Sequence, residues 1–211
     1  NLGSFTNAAV ATLGTLSTNA VLDLQVPNGG TLQPMVNLGL ITMAGGTLPF
    51  NGFATFNTGT ISNQTGAVIT GVGNVVPTVV NNGTILAANP VSGLSVFSVG
   101  FSDFNGGTIG ASNGATLNVV ISGGSGSSFN NNGTIGMLGG TLMISNAIPG
   151  VITNNSGAFI SGLGTITPAI ANLAGGTIRG SNGVLSVGLL NNLNQGTLTN
   201  VNATATLSVT N

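Results

Sequence analysis

The chain repeats one short phrase, Asn-x-Gly-Thr followed by Ile or Leu. Full copies begin at Asn28 (with Gly30 and Thr31), Asn57 (Gly59, Thr60), Asn81 (Gly83, Thr84), Asn105 (Gly107, Thr108), Asn131 (Gly133, Thr134) and Asn194 (Gly196, Thr197). Asn1-Leu2-Gly3-Ser4-Phe5 is a variant. Looser copies without the Asn stand at Gly14-Thr15-Leu16, Gly46-Thr47-Leu48, Gly164-Thr165-Ile166 and Gly176-Thr177-Ile178. A single Asn-Gly-Thr is an ordinary hairpin signal. A series of them at related spacings is the mark of a repeat architecture, in which each unit buries its apolar face against the next.

Each position has a physical job. Gly supplies a positive φ or a close backbone approach that a β-carbon would forbid, so it marks a corner. Asn tolerates the left-handed region and bonds its own backbone nearby, which suits the same corner. Thr then favours extended chain, and the following Ile or Leu points inward. Stacked copies place Asn over Asn and Thr over Thr, and such amide ladders bond along the stack. Corner spacings are mostly 16, 20, 24 and 26 residues. They fit one turn of two or three strands, and no segment keeps a 3.6-residue period long enough for a helix. The expected fold is therefore all-β: a parallel β-helix, or β-solenoid, of about nine to twelve rungs. At roughly 4.8 Å per rung it would be about 40–60 Å long.

Residues 1–211 read as a single continuous solenoid with internal subdivisions. In 1–57 the period is short, with Gly14, Gly30 and Gly46 sixteen apart. Residues 61–121 and 152–211 form a duplicated block, offset by roughly 90: Ile61 to Gly73 reads against Ile152 to Gly164, Pro77 against Pro168, and Leu117 and Val119 against Leu207 and Val209. Residues 122–151 supply an intervening rung that contains the Gly/Ser patch 123–128.

Asn-x-Gly-Thr-Ile followed by Gly-x-Leu-x-Val resembles the repeats of large secreted bacterial β-solenoid proteins, the autotransporter passengers and filamentous-haemagglutinin-like adhesins. Gly133-Thr134-Ile135 with Gly140-Thr141-Leu142-Met143-Ile144 carries the likeness, as does Gly176-Thr177-Ile178 with Gly183-Val184-Leu185-Ser186-Val187. The resemblance implies export, a right-handed parallel β-helix, and a role in adhesion, a biofilm matrix or surface fibres. This chain departs from those families in its lack of charge.

Charge decides most of the function classes. One Arg and two Asp are the only ionisable side chains in 211 residues (Asp23, Asp103 and Arg179), where ordinary domains carry roughly 25% charged residues. There is no His, Cys, Lys, Glu, Tyr or Trp. Acid–base catalysis needs paired carboxylates or a strong base, and the two Asp lie 80 residues apart, so the chain is expected not to be an enzyme. Zinc wants Cys or His and calcium several carboxylates; no metal and no cofactor are expected. The Gly-rich 123–128 patch lacks the Lys of a phosphate loop. One Arg gives no electrostatic footprint for nucleic acid, and no apolar run reaches the length of a membrane helix. Ice binding would want a regular Thr-x-Thr array, where each unit here offers one anchor Thr. Carbohydrate is the more serious rival, although aromatic platforms from Trp and Tyr are missing. The Asn-x-Ser/Thr sequons at Asn63, Asn82, Asn132, Asn154 and Asn202 are by-products of an Asn/Thr-rich repeat.

An uncharged surface of amides and hydroxyls favours self-association. The chain opens directly on a repeat unit with no charged leader, which reads as a mature product or an excerpt. Val209-Thr210-Asn211 followed by Asn1-Leu2-Gly3-Ser4-Phe5 would recreate the Asn-Asn-Gly-Thr-Ile pattern of 81–85. The expected function is a non-catalytic extracellular structural protein that self-assembles head to tail into a homopolymeric filament. Its end-to-end interface would use Asn1, Gly3, Phe5, Leu207, Val209 and Asn211. The alternative is an adhesive or stalk segment of a larger secreted adhesin, with a glycan or surface as partner.

Overall fold

A computed structural model describes residues 5–15, 17, 24–26, 34–48, 50–52, 55–88, 96–121, 128–145 and 151–210. Seventeen of the strands join one sheet that coils into a parallel β-solenoid. Each turn has three faces. An asparagine face contains strands such as Met35–Asn37, Thr60–Asn63, Phe129–Asn131 and Ile152–Asn154. A threonine face follows, with Thr12–Thr15, Thr84–Ala87, Thr108–Ala111 and Thr197–Asn200. A third face includes Thr116–Ile121 and Thr206–Thr210. Longer strands bend round the corners: Val68–Asn81 and Phe159–Asn172 each run from the threonine face through the third face to the asparagine face.

Strict register makes the core. On the threonine face Ile41, Ile69, Ile85, Ile109, Ile135, Ile160 and Ile178 stack one above the next, between Leu13 below and Leu198 above. The seven isoleucines are fully buried. Full burial of each contributes about 1.5–3 kcal/mol, and β-branched side chains repeat without conflict on a pleated surface. The third face adds Leu117, Leu142, Ile166 and Val187, also in register.

Eight turns carry all three faces among the described residues; they begin at Asn37, Asn63, Asn81, Asn105, Asn131, Asn154, Asn172 and Asn194. An earlier turn, at Asn7, is described on two faces. Complete three-faced turns among the described residues fall short of the nine to twelve rungs expected, because copies of the repeat phrase do not all occupy one station. Thr47-Leu48 and Thr165-Ile166 lie on the third face, and Thr60-Ile61 lies on the asparagine face opposite Thr78-Val79. Counting phrases counts some turns twice. Nor do the sixteen-residue steps from Gly14 through Gly30 to Gly46 mark turns: Gly14 stands opposite Thr42. Leu24–Val26 pairs instead with Phe50–Gly52, which pairs antiparallel with Thr55–Thr58 in a small separate sheet.

Positions read as duplicated share backbone conformation. Gly66 and Gly157 have φ of 86° and 78°, Gly71 and Gly162 have 125° and 118°, and Gly73 and Gly164 have 122° and 130°.

Candidate functional site

The corner between the asparagine and threonine faces comes in two sizes. In the short form Asn-x-Gly-Thr, Thr84 follows Asn81 by three positions, and likewise at 105–108, 131–134 and 194–197. Its Gly is required by close approach: a β-carbon on Gly107 would meet the Gly83 carbonyl oxygen at 2.2 Å, and one on Gly133 the Gly107 oxygen at 2.1 Å. Five residues span the long form, as in Asn63 to Val68 and Asn154 to Phe159. There a turn closes by Ala67 N–H donating to Gln64 O (2.9 Å) and Ala158 N–H to Asn155 O (3.0 Å), and the Gly adopts positive φ with open space around it at Gly66 and Gly157.

Both corners deliver an asparagine to the same internal station. Asn7, Asn37, Asn63, Asn81, Asn105, Asn131, Asn154, Asn172 and Asn194 form one ladder. Each Nδ2 donates to Oδ1 of the next at 2.7–2.9 Å, over sequence steps that vary from 18 to 30 residues. The same Nδ2 also donates to a backbone carbonyl on the next turn, for example Asn81 to Thr108 O (3.2 Å) and Asn131 to Phe159 O (3.2 Å). Both amide protons are thereby used. From Asn37 to Asn172 the side chains are fully buried, and among the described residues every buried side-chain polar atom has a partner. The ladder has direction, donating throughout towards the C-terminal end.

Of the residues singled out in the sequence, Asn81, Asn105, Asn131 and Asn194 are ladder members. Gly83, Gly107, Gly133 and Gly196 are their corner glycines, and Thr84, Thr108, Thr134 and Thr197 stand outward on the threonine face. Asn57 is a correction: it lies in Thr55–Thr58, ahead of buried Gly59 and outward Thr60, and the ladder member of that turn is Asn63. Asn28, Gly30, Thr31, Asn1, Gly3 and Asn211 fall outside the described residues. Asn7, Asn37, Asn63, Asn154 and Asn172 were missed by the phrase. Asn63 and Asn154 are two of the sequons, and their burial withdraws them from modification in the folded chain.

The end of the stack differs from its middle. Leu198 is 36% exposed and Val209 39%, while Ile178 and Val187, one turn below them, are 0% and 2%. Leu207 is only partly buried against the core. Asn194 accepts from Asn172, but its own Nδ2 donates only to Gly196 O at 3.2 Å. At the opposite end Asn7 is 4% exposed. Phe5 is 39% exposed, and its carbonyl accepts from Val36 N–H at 3.0 Å.

Of the ionisable groups, Arg179 is exposed on the threonine face between Ser161 and Thr199. Asp103 lies in the strand Val96–Asn105, and Asp23 is outside the described residues. Among the described residues no three His, Cys, Asp or Glu come together, and no helix is long and apolar enough to cross a membrane.

The third face carries one feature that the phrase did not disclose. Thr116, Thr141, Thr165, Ser186 and Ser208 stack outward in register as an unbroken rank of hydroxyls. Beside it Thr167 and Thr210 border a shallow depression with Pro168 and Gly188.

Comparison with family models, with curated proteins and with solved structures finds no match to this chain.

Proposed function

We propose that the protein is a non-catalytic, extracellular structural element that assembles head to tail with copies of itself into a β-solenoid filament or matrix fibre. The last described turn carries this reading: along its strand edges Leu198 and Val209 are half-covered, and Asn194 accepts from Asn172 below it, so a further rung laid on it would continue both the apolar columns and the ladder. Native sheets normally blunt such edges with charges or caps, and the described last turn carries no charged side chain. A copy stacked on it would bury apolar residues, pair the backbone edge and extend the ladder. Scarcity of charge supports the same reading, since little repulsion opposes association.

Negative-stain electron microscopy of the purified chain without denaturant tests this. Unbranched filaments are expected, with an axial repeat of about eight or nine strand spacings, roughly 40 Å. Monodisperse short rods at high concentration would refute self-assembly. A population of closed dimers would refute the head-to-tail arrangement in favour of two last turns meeting.

The hydroxyl rank on the third face favours a second reading, a stalk or adhesive segment of a larger secreted adhesin that contacts a neutral glycan or surface. Retention of the rods on an insoluble polysaccharide, lost on replacing Thr141 and Thr165 with Val, would favour it over the filament.

A further inference from the structure

The chain adopts left-handed backbone at the long asparagine corner and at the corner from the threonine face to the third face. Glycine occupies the latter in most turns, at Gly45 and Gly46, Gly71 and Gly73, Gly114, Gly139, and Gly162 and Gly164. In the turn that begins at Asn172, an asparagine takes that conformation. Asn182 has φ of 56°, and among the described residues no other non-glycine residue has a positive φ. Asn is one of the few residues that tolerates this region, at some cost in strain. Asn182 is exposed, and Gly183 follows it with φ of 150°. One more contact matters chemically: Asn202 Nδ2 donates to Asn182 Oδ1 at 3.2 Å.

We propose that Asn182–Gly183 is a self-modifying site, at which the backbone nitrogen of Gly183 closes onto the Asn182 side chain with help from Asn202. The Gly183 nitrogen gives its proton to water and forms a bond to Asn182 Cγ. The Cγ–Nδ2 bond breaks, and Nδ2 leaves as ammonia, giving a five-membered imide. Water then adds to either imide carbonyl and opens the ring, leaving a free carboxylate on a normal or a β-linked backbone. The sum is one water consumed and one ammonia released. Gly at the second position leaves the attacking nitrogen unhindered. The Asn202 amide stabilises negative charge as it develops on Oδ1 during attack, which is the role of an oxyanion donor.

The chain contains its own control. Ser112-Asn113-Gly114 repeats Ser181-Asn182-Gly183 at the same distance from the facing threonines Thr108 and Thr177. Asn113 is also exposed, but it lies outside the left-handed region, and no side-chain hydrogen bond reaches it among the described residues. Asn105–Gly106 is the opposite extreme, with its amide buried and fully bonded in the ladder. A carboxylate at position 182 would take the net charge from −1 to −2. It would also place that charge within the last two described turns.

The test is incubation of the folded protein in neutral buffer at physiological temperature, followed by peptide mapping that resolves amide, aspartyl and isoaspartyl forms. Asn182 should convert faster than Asn113 by about fivefold, the factor one neutral hydrogen bond contributes, and Asn105 should stay intact. The Asn202→Ala variant should slow Asn182 to the rate of Asn113 and leave Asn113 unchanged. Equal rates at 182 and 113 in the wild type, or an Asn182 rate indifferent to Asn202→Ala, would overturn the proposal. Equal rates in the urea-unfolded chain show that any difference is made by the fold; a difference that persists there also overturns it.

Discussion

Replacing Asn105 with Leu removes one rung of the amide ladder while nearly preserving shape. Asn105 is fully buried, accepts from Asn81 Nδ2 at 2.9 Å and donates to Asn131 Oδ1 at 2.9 Å. Leucine fills the space but strands two side-chain groups of the ladder, and it also removes the amide that donates to Gly107 O and Thr134 O. Asn81 keeps its bond to Thr108 O, so one of its two amide protons is orphaned, and Asn131 Oδ1 loses its donor from below. Each buried orphan costs about 1–3 kcal/mol, and the buried leucine returns about 1.5–3 kcal/mol. The net expectation is a loss of about 2 kcal/mol. Asn105→Ala strands the same groups without that return and leaves a cavity, so it should lose about 4 kcal/mol. Asn194→Leu sits at the exposed top of the ladder, where water can satisfy Asn172, and should lose less than about 1 kcal/mol. Urea titration followed by far-ultraviolet circular dichroism measures all three. The signature of a ladder is the largest loss for Asn105→Ala, a smaller one for Asn105→Leu and the least for Asn194→Leu. A midpoint for Asn105→Leu equal to that of Asn194→Leu would refute the reasoning.

Asn105→Asp should introduce a pH dependence that the wild type, with three ionisable side chains, largely lacks. Burial and the facing Asn131 Oδ1 push the new carboxyl above its ordinary range, and only its protonated form can donate up the ladder. The folded state then binds more protons than the unfolded one. Stability should therefore fall as pH rises above about 4, by up to about 1.4 kcal/mol per unit, until the folded-state value is passed; thermal melts across pH that stay flat for the variant would refute it. Gly71→Ala forces a β-carbon to 1.9 Å from the Met43 carbonyl oxygen at φ 125° and should cost about 3 kcal/mol or more, whereas Gly66→Ala, with open space at φ 86°, should cost about 1 kcal/mol. Equal losses of denaturation midpoint would contradict the close-approach account of the corners. Val209→Pro removes a backbone donor from the last strand, and its expected effect is shorter or absent filaments with an unchanged far-ultraviolet spectrum; filaments of unaltered length would show that this edge is not the joint.

The parallel stack was legible because Gly-Thr-Ile demands a corner followed by an inward apolar residue, and the isoleucine column fulfils it from Ile85 to Ile135. The ladder was legible in only four of its nine described members. Asn-x-Gly-Thr describes the short corner, where Gly is needed for lack of room. Long corners at Asn63, Asn154 and Asn172 shift the Gly by one residue and use it for its torsion, so the same asparagine sits behind a different phrase. Asn37 was hidden by Leu40 in the place of Thr, a change that faces outward and leaves the corner intact. Asn57 misled for the converse reason: Gly59-Thr60-Ile61 has the right letters on the wrong face. The hydroxyl rank could not be read from one turn at all. Thr116, Thr141, Thr165, Ser186 and Ser208 become a rank only once register is known, and turn lengths from 18 to 30 residues conceal register from any fixed period.

That spread of turn lengths has a consequence for how such a chain can change. Every turn rises by one strand spacing whether it spends 18 residues or 30, because the ladder and the isoleucine column set the pitch. Height along the axis is thus decoupled from chain length. Peptides inserted between the third face and the asparagine face would leave the rod at one edge, spaced like teeth on a comb. Lineages, or engineers, could rewrite the teeth without touching the spine.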